Sequence, residues 1–242
     1  EIKNTSEKPV SVYKGWEGNT WLEDSDFQNK KELVLSYSGS GTEHRYLFDG
    51  DYDVKLTDSG KGYEAISGSA IDIASESSQK IFLTYSVLFE GDVLPPNKDF
   101  DEDSVATSFD KLVRRWKSYH EAFPYKKGHW LDSLNFELLK SKSLQTLVAN
   151  WKSAAGELKN DGLFPSYLYK GFHGFWAWDS WKHAAALARF EPELAKSQVL
   201  TMFDYQNSEG MIPDCIFRDT LIEKHNWRDT KPPLATWAVE EI

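Results

Sequence analysis

Residues 81–89 read Ile81-Phe82-Leu83-Thr84-Tyr85-Ser86-Val87-Leu88-Phe89, and their alternation sets the fold class of the first ninety residues. Ile81, Leu83, Tyr85, Val87 and Phe89 share one face at a period of two, the spacing of a strand with one side against a core. Upstream, Tyr46 and Phe48 alternate in the same way, as do Tyr52, Val54 and Leu56, then Ile71 and Ile73. Clusters such as Ser38-Gly39-Ser40-Gly41 and Asp49-Gly50-Asp51 punctuate the run as turns. Short antiparallel strands between such turns predict a β-sandwich, whole or partial, over residues 1–91. Gly39 and Gly41 lack the third glycine and following helix of a nucleotide loop.

Downstream the pattern changes. Asp92 to Asp103 holds Pro95-Pro96 and five acidic residues, which read as an exposed linker. After it Phe109, Leu112, Val113, Trp116, Tyr119 and Phe123 recur at helical spacing, with Arg114, Arg115 and Lys117 turned away. Residues 92–125 are therefore taken as linker and linker helix. Leu131, Leu134, Leu138, Leu144, Leu147, Val148 and Trp151 continue the helical period, and further helices are predicted near 179–190, 193–206 and 232–242. The sequence describes a β domain feeding a helical one, the latter over residues 126–242.

Composition narrows the function classes. The chain has 242 residues, 28 Lys plus Arg against 38 Asp plus Glu, and a net charge of −10. That balance lacks the basic face a nucleic-acid partner needs. No apolar run approaches the length of a membrane span, so no membrane partner is expected. Cys215, the single cysteine, excludes an internal disulfide and a Cys-based zinc site. His173 and His183 belong to no ligand pattern, and no G-x-S-x-G supplies a serine nucleophile. No cofactor is expected; the acidic linker could attract calcium but lacks the spaced ligands of a calcium loop.

Aromatic residues make up 14% of the chain, with 10 Trp, and indole and phenol rings form the flat surfaces on which sugars stack as readily as they form a core. They concentrate between Leu163 and Trp181, where eight of nineteen residues are aromatic. Gly171 and Gly174 interrupt this run, which reads as an aromatic loop up to Trp178 leading into a helix, with Asp179 at or beside its N-terminus. The helix end favours a charged carboxylate, whereas water-excluding indoles favour the protonated acid. Asp179 is thus either a general acid able to protonate a glycosidic oxygen or a simple N-cap. Gly210-Met211-Ile212-Pro213-Asp214 and Asn226-Trp227-Arg228-Asp229-Thr230-Lys231-Pro232-Pro233 form two further loops. Singly, Asp214 reads as a solvated turn residue and Lys231 as a surface lysine; converging loops on one rim would place both in one pocket.

Phe175-Trp176-Ala177-Trp178-Asp179-Ser180-Trp181-Lys182, Phe190-Glu191-Pro192-Glu193-Leu194-Ala195-Lys196, Gly210 to Asp214, and Thr230-Lys231-Pro232-Pro233-Leu234-Ala235-Thr236-Trp237 together resemble glycoside hydrolase family 63, nearest its bacterial α-glucosidase branch. The four ordered blocks run from about Asn150 onward; residues 1–125 share only the layout. The resemblance implies a β-sandwich followed by an (α/α)6 barrel with inverting, exo-acting α-glycosidase activity on an oligosaccharide. It makes Asp179 the general acid, Trp176, Trp178 and Phe172 walls of the terminal-sugar subsite, and Asp214 and Lys231 neighbours of that sugar's hydroxyls. Relatives often carry Gln where Lys231 stands.

Twelve helices of roughly 11–12 residues with short connections need about 200 residues, whereas about 115 follow the start of the helical part. The family's general base is a Glu far downstream, which Glu240 and Glu241 do not match. The expectation is a partial barrel, inactive alone and completed by a further C-terminal segment or a second chain. Leu234, Trp237 and Ile242 are expected to lack partners and so to promote association. A non-catalytic carbohydrate-binding or scaffold protein, and a trehalase-like or glucoamylase-like hydrolase, are the alternative readings. Periplasm and cytoplasm are both open.

Overall fold

The computed structural model describes residues 1–20, 24–30, 32–93, 102–122, 135–166, 171–228 and 232–242. The chain divides into two compact units, Glu1–Asp101 and Glu102–Ile242.

The first unit holds eleven strands among its described residues: β1 (Ile2–Lys3), β2 (Val10–Val12), β3 (Gly15–Asn19), β4 (Ser25–Asn29), β5 (Leu33–Tyr37), β6 (Glu43–Phe48), β7 (Tyr52–Thr57), β8 (Gly62–Ser67), β9 (Ile71–Ile73), β10 (Ser78–Gln79) and β11 (Leu83–Leu88). All the pairings are antiparallel. A four-stranded sheet runs β11-β6-β5-β4 and a three-stranded one β3-β8-β7, with β1-β10 and β2-β9 as separate ribbons. The alternation read from the sequence explains the core. Phe27 and Leu33 from the larger sheet bury against Tyr63 and Ala65 from the smaller, with Trp16, Tyr46, Phe48 and Val54 packed around them. The Phe27 and Tyr63 rings meet edge to face at 5.1 Å, a favoured aromatic geometry. On the edge strand β11 the expected inward face is not continuous. Tyr85 is exposed, its ring beside Tyr46 and its hydroxyl hydrogen-bonded to His44, because an edge strand needs cover on only part of its length.

The second unit begins with α1 (Glu102–Ala122) and α2 (Phe136–Ala149), followed by a hairpin of β12 (Trp151–Lys152) and β13 (Gly162–Leu163). Then come β14 (Phe175–Trp176), α3 (Ala177–Leu187), α4 (Pro192–Phe203), β15 (Cys215–Ile216) and α5 (Ala235–Glu241). Pro192 fits the first turn of α4, where the missing N–H costs nothing. Two buried clusters form the interior. In one, Ala177, Trp181 and Ala184 of α3 pack on Val199 and Met202 of α4, Ile216 of β15 and Ala238 of α5. In the other, Tyr119 of α1, Leu144 and Val148 of α2, Leu187 and Leu194 meet.

Several expectations change here. Phe109, Leu112 and Val113 of the α1 stripe are exposed and only Tyr119 is buried, since α2 meets α1 near its C-terminal end. Phe123, Leu131 and Leu134 lie outside the described residues. Trp151 belongs to a strand, paired with Leu163, instead of extending the helix. Leu234 and Ile242 pack against the buried clusters, so they are not the bare positions expected of an open edge; Trp237 is exposed. Among the described residues no helix is long and apolar enough to cross a membrane.

One buried polar side chain organises this unit. Gln198 of α4 is fully buried. Its amide accepts from the Leu163 N–H and donates to the Leu163 carbonyl and to Ser180 Oγ. It thus acts as a neighbouring strand for β13 while tying α3 to α4, and every one of these polar groups is satisfied, as burial demands.

Candidate active site

The helix that carries Asp179 begins where a short strand ends. Phe175 and Trp176 pair with Ile216 and Cys215, and the Ala177 N–H donates to the Asp214 carbonyl at 2.9 Å. One of the donors that a helix leaves unsatisfied at its start is met by the backbone of the Gly210–Asp214 block. The expected loop up to Trp178 is therefore a strand at Phe175–Trp176 and helix from Ala177; pairing with β15 supplies the order that Gly171 and Gly174 do not. Trp176 occupies the N-cap position without a side-chain cap, and Asp179 lies in the first helical turn. Asp179 is thus not an N-cap. Its position is nevertheless one where the helix dipole favours negative charge.

Asp214 is delivered by a tight turn. Asn207 Oδ1 accepts from the N–H groups of Glu209 and Met211 at 3.0 and 2.8 Å, and Gly210 takes φ 83°, a conformation that favours glycine. The Asp214 N–H then donates to the Asn226 carbonyl at 2.8 Å, and the Asn226 N–H to the Cys215 carbonyl at 2.9 Å. This lacing brings residues 210–214 and 226–228 to the start of α3. The Asp214 side chain is 1% exposed, and its Oδ2 accepts from an Arg228 NH group at 3.3 Å. Asp214, which read singly would be a solvated turn residue, is in fact buried, because backbone pairing on both sides folds it inward. Burial raises the Cys215 thiol well above its usual pKa, and neighbouring Asp214 adds to that, so Cys215 is no nucleophile.

Arg228 links the blocks. Its guanidinium carbon lies 5.7 Å from the Trp176 ring centroid, within reach of a cation–π contact. Trp176 Nε1 donates to the Gly171 carbonyl at 2.8 Å, and Phe172 meets Trp176 edge-on at 6.4 Å. A cleft of about 480 Å³ has Ala177, Trp181, Met211, Asp214, Arg228 and Pro233 among its lining residues. At 100° per residue, Ala177 and Trp181 share one face of α3, while Asp179 falls with Trp176 and His183 on another. Asp179 is half-buried and does not line the cleft; nor do Phe172, Trp176 or Trp178. Trp178 is half-buried beneath the Lys182 ammonium, 3.8 Å from its ring centroid. Lys231 and residues 167–170 of the aromatic stretch lie outside the described residues.

Three side chains with chemical character carry no sequence pattern that assigns them a role. Arg228 lies in the polar loop from Asn226 to Pro233 with no spacing that marks it. His183, one turn after Asp179, is half-buried; burial lowers its pKa and Asp179 opposes that shift. Its Nδ1 has no hydrogen-bond partner among the described residues, which fits a neutral imidazole. Lys152 is 8% exposed, and burial pushes it down to about 7. No local pattern marks either His183 or Lys152, since burial is a tertiary property. Among the described residues no group of three or more His, Cys, Asp or Glu is placed to hold a metal.

Residues 173–242 match the sequence model of the mannosylglycerate hydrolase MGH1-like glycoside hydrolase domain. The matched stretch contains Trp176, Trp178, Asp179, Asp214, Arg228 and Lys231, and begins one residue after Phe172. It supports glycoside hydrolase family 63 broadly and does not single out the α-glucosidase branch. The protein is a glycoside hydrolase.

Proposed function

We propose that this glycoside hydrolase is an exo-acting, inverting α-glycosidase of α-linked glucosides or oligosaccharides, with Asp179 as the proton donor. In this reading Trp176 and Trp178, with Phe172, wall the subsite of the terminal sugar, and Asp214 and Lys231 contact its hydroxyls. The β-rich unit is taken as part of a sandwich (residues 1–91), joined through residues 92–125 to the first helices of an (α/α)6 barrel (residues 126–242). The observation that carries the reading is the convergence at the start of α3. There the backbone of the Asp214 block caps the helix whose first turn bears Asp179, and a cleft opens along the Ala177–Trp181 face of the same helix.

Chemically, Asp179 would protonate the leaving oxygen, while a second carboxylate, about 6.5–9.5 Å away across the sugar, activates water. Asp214 is not assigned that second role. Its side chain is buried against Arg228, which suits orientation of a sugar hydroxyl better than activation of water.

The test is Asp179→Asn in the complete polypeptide, assayed on α-linked glucosides with the product anomer followed by NMR. A general acid contributes about 100-fold or more, so turnover should fall by at least that factor. The β-anomer should be the first product from an α-glucoside. Near-normal turnover removes Asp179 from the acid role, and a first-formed α-anomer removes inversion. Sugar binding without any turnover by the complete wild-type protein would favour the carbohydrate-binding reading.

A second substrate class has its own support. The matched domain is described by mannosylglycerate hydrolase, and Arg228 presents a 65% exposed side chain at the cleft. A cation there suits a sugar joined to a small carboxylic acid. Comparing α-mannosyl and α-glucosyl conjugates of glycerate with neutral disaccharides would decide between the two classes.

A further inference from the structure

Lys140 and Lys152 are both 8% exposed, but they are buried in different company. Lys140 of α2 pairs with Glu137 at 2.8 Å, within its own helix. Lys152 of β12 reaches across the fold: its Nζ donates to the His173 carbonyl at 2.5 Å and lies 4.2 Å from the Phe164 ring centroid. Charged and titratable groups face it from several elements. Arg218, after β15, repels the ammonium, and the Cys215 thiol of β15 favours it. The His173 ring approaches Glu223 at 3.6 Å. Desolvation outweighs the rest and lowers the ammonium to about 7. A methionine of similar length would fill this space without the cost of burying a charge. What it lacks is a donor for the His173 carbonyl.

The platform behind Lys152 is rigid. Its strand pairs with Gly162 and Leu163, and Leu163 is clamped by Gln198. Phe175 lies so close over Gly162 that a Cβ there would come within 2.5 Å of its ring. The other end of the contact is the carbonyl next to Gly174, two residues before the strand-to-helix passage that carries Trp176 and Asp179.

We propose that Lys152 is a positioning residue for residues 173–178, its side-chain amine holding the His173 carbonyl and thereby fixing Trp176 and the first turn of α3. Opening of this segment returns the buried amine to water and is therefore favoured while the amine carries its proton, so the hold on the segment tightens as the amine titrates. The meaning of that segment for catalysis rests on the reading of Asp179 as the acid; the hold itself does not.

Hydrogen–deuterium exchange of the chain tests this directly, with rates corrected for the intrinsic pH dependence of amide exchange. Between pH 6 and pH 8.5 the wild type should gain at least fivefold protection in peptides spanning residues 173–178 and show no such gain in α4. Lys152→Met should show low protection of the 173–178 peptides at both pH values, with α4 unchanged. Equal protection at the two pH values in the wild type overturns the proposal, and that measurement stands even where Lys152→Met fails to fold. Equal changes in α4 and in residues 173–178 also overturn it, since they report a general packing role. If the exchange results hold while Asp179→Asn keeps its turnover, Lys152 retains its role and the acid assignment alone falls.

Discussion

Burial of the Lys152 ammonium sets the sign of a pH effect on folding. In the unfolded chain the lysine titrates near its ordinary 10.5, in the folded protein near 7. Between those values the unfolded state binds more protons, so stability rises with pH across that window and is lowest, for this group, below it. At one pKa unit per about 1.4 kcal/mol, the step from pH 7 to pH 9 is worth about 2 kcal/mol. The expected outcome is that wild type gains about this much relative to Lys152→Met between those pH values, measured by urea titration of each at both. A pH-independent difference between the two proteins would mean that the amine is not desolvated as placed. His183 works in the same direction at lower pH, since its depressed pKa favours the folded state as it loses its proton; the comparison with Lys152→Met cancels that contribution. Lys152 shows what a linear reading misses, because its partner at His173 is 21 residues away and nothing in Trp151-Lys152-Ser153 announces burial. Asp179, Trp176 and Asp214 could be named as candidates because their chemistry is crowded into short, ordered blocks.

At the scale of elements, the passage from β14 into α3 depends on close approach. Gly174 is packed against β15 and the residue that follows it: a Cβ there would come within 2.7 Å of the Phe217 ring and closer still to Cys215 Sγ. Both obstacles are buried, so neither can swing aside cheaply. Gly174→Ala is expected to cost about 1–3 kcal/mol through overpacking, seen as a fall of several degrees in the midpoint of thermal unfolding. The same variant should weaken saccharide binding, since it pushes residues 175–179 away from the Asp214 block. An unchanged midpoint would show that this junction yields. The helices α3 and α4 could be read from the sequence because each carries about three turns, enough for a 3.6-residue period to register; the short α5 was marked by the pair Pro232-Pro233 just ahead of it, and it begins at Ala235 instead of at the prolines. The strands β12 to β15 could not. Each is two residues long, too short for any period, and each exists only because a distant partner supplies its hydrogen bonds. The same limit applies to the cleft: the sequence placed the Asp214 block and the Arg228 block near Asp179 by analogy of layout, but only the Asn226 pairing shows how they are laced together. The face of α3 on which Asp179 falls was likewise open until Ala177 and Trp181 were seen to line the cleft.

For the whole molecule the useful fact is that the buried clusters partition with the chain. Phe27, Leu33, Tyr63 and Ala65 form a core within Glu1–Asp101, whereas both remaining clusters draw only on residues of Glu102–Ile242. A chain with separate cores need not unfold in a single step. Phe27 is 3% exposed, and truncating a buried phenylalanine costs about 3–5 kcal/mol. Phe27→Ala should therefore lower one calorimetric transition and leave a second nearly in place, while Gly174→Ala should lower the second and spare the first. Because the two sites share no buried partner, the double variant should show both shifts with little interaction between them. If each single variant instead moves the whole endotherm by a similar amount, the two units unfold as one cooperative body, and their cores are coupled by contacts that partition of the buried clusters does not predict.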